Sequence, residues 1–331
     1  MTITMQAAVQ RTFAEPEHIT VETIEAPTPQ ENEVLIDVHA AGVDRGVWHL
    51  ATGKPYIMRI MGFGFRRLKQ PVQGTDVAGK VKAIGPKVTR FRVGDAVMGS
   101  AEGSFAQLTV ASENKLVGVP SGLSLTEAAA MPVSGLTAIK AVVDITEVSA
   151  GQRVLILGAS GGVGSFAVQL ASAAGARVTG VCSSGKAALV KRLGAVETID
   201  YATEDVTTSG AEYDVIIDIG GRLPLRGLRR ILAPRGKLVI VGGEGGGPIA
   251  GGFGRQLRAA TASMFSSQQL SFFLMLPTVE ALDELVEHIK DGTIRAAVTA
   301  KYPLSRAADA VVDLAAGRIA GKAVVTVSES A

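Results

Sequence analysis

From residue 33 to residue 43 (EVLIDVHAAGV) apolar and polar positions alternate, the period of a strand with one buried face. Further short runs follow at 77–84, 95–98 and 105–119, punctuated by Gly85-Pro86, Val93-Gly94-Asp95 and Pro120-Ser121-Gly122. Strands at this spacing predict an antiparallel, barrel-like β domain. The period changes after Leu123. Ser124 can cap a helix over 124–130, with Glu127 completing a capping box. Strand-like runs at 153–157, 177–182, 196–201, 214–219 and 237–241 then alternate with helical runs at 164–174, 186–193 and 222–232. Such alternation, with strands apolar on both faces, predicts a parallel sheet covered on both sides, and 270–275 reads as its last strand. The tail predicts helices at 279–289 and 305–316 and strands at 297–302 and 323–327. Those strands are expected to rejoin the first domain, which makes it discontinuous.

Composition narrows the possibilities. A chain of 331 residues fits about two domains. With 47% hydrophobic and 19% charged residues it is neither disordered nor unusual for a globular protein. Its formal charge of +2 supplies no field to gather nucleic acid or an anionic membrane. A single cysteine, Cys182, excludes an internal disulfide, and the four histidines (His18, His39, His49, His288) have no metal-ligand spacing. Neither a signal-peptide h-region nor an 18-residue apolar run is present. A cytoplasmic location, with no membrane or nucleic-acid partner, is expected. Glycine, at 39 residues, is the outlier.

The strongest chemical signal is RVLILGASGGVG, residues 153–164. An apolar strand runs into Gly158, Ser160, Gly161, Gly162, Val163 and Gly164, and a helix follows. Glycines permit the tight turn and the close approach of backbone to a pyrophosphate, which the helix N-terminus attracts. The flanking strand and helix supply the context this motif requires. A dinucleotide site selective for NAD places a carboxylate at the end of the second strand. Here no Asp or Glu occurs from Val148 to Val196, and the strand ends in Cys182-Ser183-Ser184-Gly185-Lys186. Ser183, Ser184 and Lys186 therefore predict NADP(H), with a solvated lysine at a helix start as the plainer reading of Lys186.

The run from EVLIDVHAAGVDRGVWHLATG through PVQGTDVAG, FRVGDAVMG, AAAMPVSGLTA and GASGGVGSFAVQLA to the closing GKAVV resembles the medium-chain dehydrogenase/reductase superfamily. Within it, the chain is similar to the zinc-independent, quinone oxidoreductase-like branch. The resemblance implies an α/β fold: a GroES-like β-barrel catalytic domain (1–125 with 277–331), a Rossmann domain with a doubly wound parallel sheet (126–276), and a cleft between them. Zinc-containing relatives carry a Cys where Asp44 stands and a GHE motif where Gly74-Thr75-Asp76 stands. They also have a third ligand near 130–134 and a four-cysteine lobe, both lacking here. No metal is expected.

The resemblance implies that Val133 and Thr137 line the nicotinamide and that Tyr201 stacks near the adenosine phosphate. Arg318 lies near a phosphate-binding arginine of some relatives. Lys322 lies toward the nicotinamide end, an ordinary surface lysine being the other reading. Gly220, Gly242 and Gly243 end strands at the carboxyl edge of the sheet, where ligands bind, although plain turns read the same way. Candidates near the substrate are Tyr56, Asp44, Trp48 and His49. Asp44 reads equally as the cap of a turn, Trp48 and His49 as packing, and Tyr56 as a surface tyrosine. The segments 58–69 and 242–254 are expected to form a lid. The implied function is hydride transfer from NADPH to a quinone or α,β-unsaturated carbonyl by a homodimer paired through its last sheet strand. An NADP-dependent alcohol dehydrogenase or carbonyl reductase is the alternative, as is a dinucleotide-binding protein with vestigial catalysis.

Overall fold

In the computed structural model, which describes residues 3–56, 59, 67–243, 247 and 251–327, the chain opens with β1 (Thr4–Val9) and β2 (Thr20–Glu25), paired antiparallel. The alternating run becomes β3 (Glu33–Val43), with Val34, Ile36 and Val38 fully buried. A helix that the hydrophobic pattern did not announce, α1 (Arg45–Thr52), starts at the cap residue Asp44 and stops at Gly53 in the left-handed region. β4 (Asp76–Ile84), β5 (Ala96–Ser100), β6 (Leu108–Ser112) and β7 (Leu116–Gly118) follow. The capping box forms as predicted on α2 (Leu125–Ala129): the Glu127 N–H donates to Ser124 Oγ, and the Ser124 N–H donates to the Glu127 carboxylate. α3 spans Pro132–Ile139.

The second region alternates β8 (Arg153–Leu157), α4 (Gly162–Ala173), β9 (Arg177–Cys182), α5 (Ala187–Arg192), β10 (Glu197–Asp200), β11 (Tyr213–Asp218), α6 (Leu225–Arg230), β12 (Leu232–Ile240), α7 (Phe253–Ser263) and β13 (Gln269–Phe272). Its six strands form one parallel sheet in the order β10-β9-β8-β11-β12-β13. β12 begins five residues earlier than the apolar run at 237 suggested. Pro234, Arg235 and Gly236 lie within the strand, where the register against β11 shifts between Tyr213 and Val215; a bulge accommodates proline and glycine there.

The chain closes with α8 (Val279–Lys290), β14 (Val298–Pro303), α9 (Ala307–Ala315) and β15 (Lys322–Thr326). β15 pairs with β3, so the tail does rejoin the N-terminal sheet, whose order is β14-β15-β3-β4-β5-β7 with β6 also on β3. That sheet is mixed rather than purely antiparallel, because β14 runs parallel to β15. Two compact units result, Met1–Leu136 with Leu276–Ala331 and Thr137–Met275. The first division thus falls inside α3 rather than at 125/126, because α2 packs on β3, β4 and β5. No helix among the described residues is long and apolar enough to cross a membrane.

Candidate active site

In the nucleotide-binding unit, three strand ends carry the expected glycines. After β8, Gly158 turns at φ +84°, and α4 starts at Gly162 with Gly161 as its cap residue. A Cβ on Gly164 would lie 2.1 Å from the Gly158 carbonyl oxygen, so only glycine lets the helix close on the turn. The first-turn N–H groups of α4 are left for an anion by helix geometry. Gly220, after β11, donates its N–H to the Leu157 carbonyl at 3.2 Å, beside Gly158. Gly242, after β12, packs so closely on Ile219 that a Cβ would stand 1.9 Å from its carbonyl oxygen, and Gly243 lies against Gly252. Gly158, Gly220 and Gly242 therefore gather along one edge of the sheet, and Ser160 is buried beside them.

The elbow after β9 corrects one expectation. Local sequence there lacks an acid, but β10 pairs parallel to β9 with Asp200 opposite Cys182. Asp200 Oδ2 accepts from the Ser184 N–H at 3.2 Å, and Oδ1 accepts from the Ala202 N–H at 3.0 Å. Those N–H groups, Ala202's foremost, hold its carboxyl below the usual range, so it is ionised at neutral pH. Ser183 directly precedes the short turn Ser184–Lys186. Burial lowers the Lys186 ammonium below the ordinary lysine value, and Tyr201 is exposed on the adjoining turn. Burial, then Asp200, pushes the Cys182 thiol up, which leaves it protonated and inert.

The β unit holds the remaining candidates. Asp44 is 7% exposed; Oδ1 accepts from the Val47 N–H at 3.3 Å and Oδ2 from the Thr75 hydroxyl at 2.9 Å, so it caps α1. Trp48 packs against a core cluster around Ala41, Val43 and Ala310, under the Arg45 guanidinium at 4.6 Å. His49 meets Trp48 edge-on at 5.0 Å, and its Nδ1–H donates to the Lys54 carbonyl at 2.7 Å. Tyr56 is 41% exposed, with the Arg59 guanidinium 4.7 Å from its ring. Arg318 donates to Asp313 at 2.7 Å in an exposed pair. Of the expected lid segments, residues 58, 60–66, 244–246 and 248–250 lie outside the described residues.

Lys322 is not a surface lysine. It is 1% exposed, donating from Nζ to Ser134 Oγ at 3.0 Å and to the Val43 carbonyl at 3.4 Å, with Asp76 Oδ2 at 3.7 Å. Asp76 is wholly buried; Oδ1 accepts from the Val133 N–H at 3.0 Å, and Oδ2 has no hydrogen-bond donor. Burial, helped by nearby Asp44 and opposed by Lys322, pushes its carboxyl up to about 7. Sequence reading passed over Asp76 and Ser134 as mere non-ligands; a carboxylate at the buried start of β4 was the available signal. Through Asp76 and Ser134 this cluster grips the first turn of α3, where Val133 stands one turn from Thr137.

A GroES-like β unit followed by a parallel dinucleotide-type sheet with a glycine phosphate loop defines a medium-chain dehydrogenase/reductase. Residues 30–140 match the alcohol dehydrogenase GroES-like domain and 193–325 a domain described as zinc-binding dehydrogenase. The chain is 32% identical over 325 residues to the chloroplast envelope quinone oxidoreductase homolog of Arabidopsis thaliana, covering 93% of each. It superposes on the quinone oxidoreductase of Coxiella burnetii with a TM-score of 0.86 at 28% identity, covering 98% of this chain and 100% of that one. A mycobacterial protein solved in complex with NADPH gives a TM-score of 0.82 at 27% identity, with coverage of 98% and 100%. The chain belongs to the quinone oxidoreductase-like branch of the medium-chain dehydrogenase/reductases, and it is an NAD(P)H oxidoreductase.

The word zinc in one of these descriptions invites a test against the side chains. At the matching positions Asp44 is committed to Val47 and Thr75, Thr75 is a neutral hydroxyl, and Asp76 faces an ammonium. Among the described residues no three His, Cys, Asp or Glu side chains gather to hold a metal. A tetrahedral zinc site does not fit here.

Proposed function

We propose that this enzyme is an NADPH-dependent, zinc-independent oxidoreductase of the cytoplasm that reduces a quinone or an α,β-unsaturated carbonyl. The observation that carries this reading is the Lys322 ammonium among the residues that match zinc-ligand positions. A fixed cation buried behind α3 cannot serve as an open Lewis acid, so the chemistry rests on positioning and hydrogen bonding. Quinones and enones suit such a site because their reduction requires only hydride delivery and a proton.

Bound NADPH supplies the hydride. In the nucleotide-binding unit, Gly158 and Ser160 to Gly164 cradle the pyrophosphate against the N-terminus of α4. Ser183, Ser184, Lys186 and Tyr201 receive the 2′-phosphate and adenosine, the Lys186 ammonium offsetting the ionised Asp200 carboxylate that accepts from the Ser184 N–H. Gly220, Gly242 and Gly243 keep side chains away from the nicotinamide. Val133 and Thr137 orient the ring from α3. Tyr56 contacts the acceptor, and its hydroxyl or a water returns the proton. Asp44, Trp48 and His49 hold α1 rather than touch substrate, and Arg318 and Lys322 act through the residues they bind. The solved NADPH complex of a neighbour supports the cofactor choice.

Steady-state oxidation of NADPH and NADH against panels of quinones, enones and secondary alcohols, with and without a chelator, tests the reading. Chelator-resistant turnover of quinones or enones with preference for NADPH is expected. Turnover confined to alcohols and simple carbonyls selects the carbonyl reductase reading, and NADPH binding without turnover selects a binding protein.

A further inference from the structure

Between Ile219 and Val279 the sequence carries seven arginines (222, 226, 229, 230, 235, 255, 258) and Lys237 against a single acid, Glu244. The whole chain is only +2, so the remainder is net acidic and this basicity is concentrated. The fold gathers it further. A groove of about 1430 Å³, ample for a nucleotide-sized ligand, is lined by Arg222, Arg226, Arg229, Arg230, Arg255 and Arg258, and none of the described residues that line it is acidic.

Helix electrostatics explains only part of this. Arg229 and Arg230 end α6, where cations favour the dipole, but that leaves Arg222, Arg226 and Arg258 without such a reason. Arg226, Arg229 and Arg230 also share one helix face at spacings of three and four, where like charges repel. Two of the guanidiniums are held in a way that suits a ligand. Arg229 donates through Nε to Gln268 Oε1 at 3.0 Å and through Nη2 to Ser266 Oγ at 3.2 Å, while Gln268 is itself pinned to the Arg229 and Leu232 carbonyls. These partners orient the guanidinium without neutralising it. Arg255 spends Nη2 on the buried carboxylate of Asp218, leaving Nε and Nη1 buried with no acceptor. Buried donors without acceptors are costly, and an oxyanion in the groove removes the cost.

The groove is separate from the phosphate loop. Passing from β8 through α4 to β9 steps along the sheet in one direction, and passing from β11 through α6 and α7 to β13 steps in the other. Right-handed crossovers therefore put α4 on one face and α6 and α7 on the opposite face.

We infer that the groove between α6 and α7 binds an oligophosphate anion, such as a nucleoside polyphosphate, at a site additional to the dinucleotide site. Arginine forks match phosphate oxygens bidentately, and several clustered forks select several phosphates over a single carboxylate.

Calorimetric titration of the full chain with sodium tripolyphosphate and, in parallel, ADP, each with and without saturating NADPH, tests this. One tripolyphosphate per chain is expected in both conditions, with affinity falling steeply as salt rises. The exposed pair Arg226→Gln/Arg258→Gln should weaken it at least about tenfold while leaving NADPH affinity unchanged; Lys186→Ala should leave it intact. Tighter ADP than tripolyphosphate binding identifies a nucleotide, and the reverse a bare polyphosphate; either supports the site. Absence of binding, binding abolished by NADPH, insensitivity to the arginine pair, or arginine-dependent pelleting with phosphatidylglycerol vesicles alone overturns it. Because binding is read without turnover, its failure is distinct from failure of the proposed reaction.

Discussion

At residue scale the decisive pair is Lys322 and Asp76. Both are buried, 3.7 Å apart, with the ammonium also on Ser134. Removing one partner of such a pair typically costs about 3–5 kcal/mol, here because the carboxyl left without its ammonium must take up a proton that the unfolded chain does not hold. Lys322→Met should therefore destabilise the chain by that amount at neutral pH in denaturant titration, and adding Asp76→Asn should recover much of the loss. The same carboxylate sets a pH dependence. Its folded-state value of about 7 stands above its ordinary 3.8, so between those limits the folded chain holds a proton that the unfolded chain has released. Stability should fall as pH rises from about 4 to about 7, and Asp76→Asn should flatten that fall. At the elbow, Lys186→Ala should weaken NADPH by about 1.5–3 kcal/mol, the scale of a charge-assisted hydrogen bond, and leave NADH nearly unchanged in fluorescence titration. Equal loss for both dinucleotides counts against a 2′-phosphate contact.

At element scale, caps do much to define where helices begin. Asp44 starts α1 and Ser124 starts α2, the latter through a reciprocal pair with Glu127. Ser124→Ala should cost about 1 kcal/mol in thermal or denaturant unfolding, with catalytic constants unchanged. α3 matters differently. Its first turn is held by Asp76, which accepts from the Val133 N–H, and by Lys322, which donates to Ser134 Oγ, so α3 is placed by charges from β4 and β15 rather than by its own amphipathic pattern.

For the whole molecule, the outer edge of the second sheet is the feature that bears on assembly. β13 ends the six-stranded sheet at Phe272, which is 40% exposed, and just beyond the strand Leu274 and Leu276 are 79% and 66% exposed. Exposed apolar side chains at a sheet edge are a pairing hazard unless covered. We propose that two copies cover it by pairing β13 with its symmetry mate, continuing the sheet. Leu274→Lys should shift the chain from dimer to monomer in sedimentation velocity; an unaltered dimer places the interface elsewhere.

By itself the sequence determined the two fold types, the phosphate loop and the return of the tail to the first sheet. These depend on period, glycine spacing and local turn chemistry, which are properties of neighbouring residues. Tertiary structure alone decided the rest. The β10–β9 pairing brought Asp200 to an elbow whose own sequence lacks acids. Closure of β15 onto β3 carried Lys322 to Asp76 across more than two hundred positions. The α6–α7 face brought the arginines of two separate helices into one groove. Electrostatic partners act through space over a few ångströms, so the charge environment of a site emerges only after the sheets have formed.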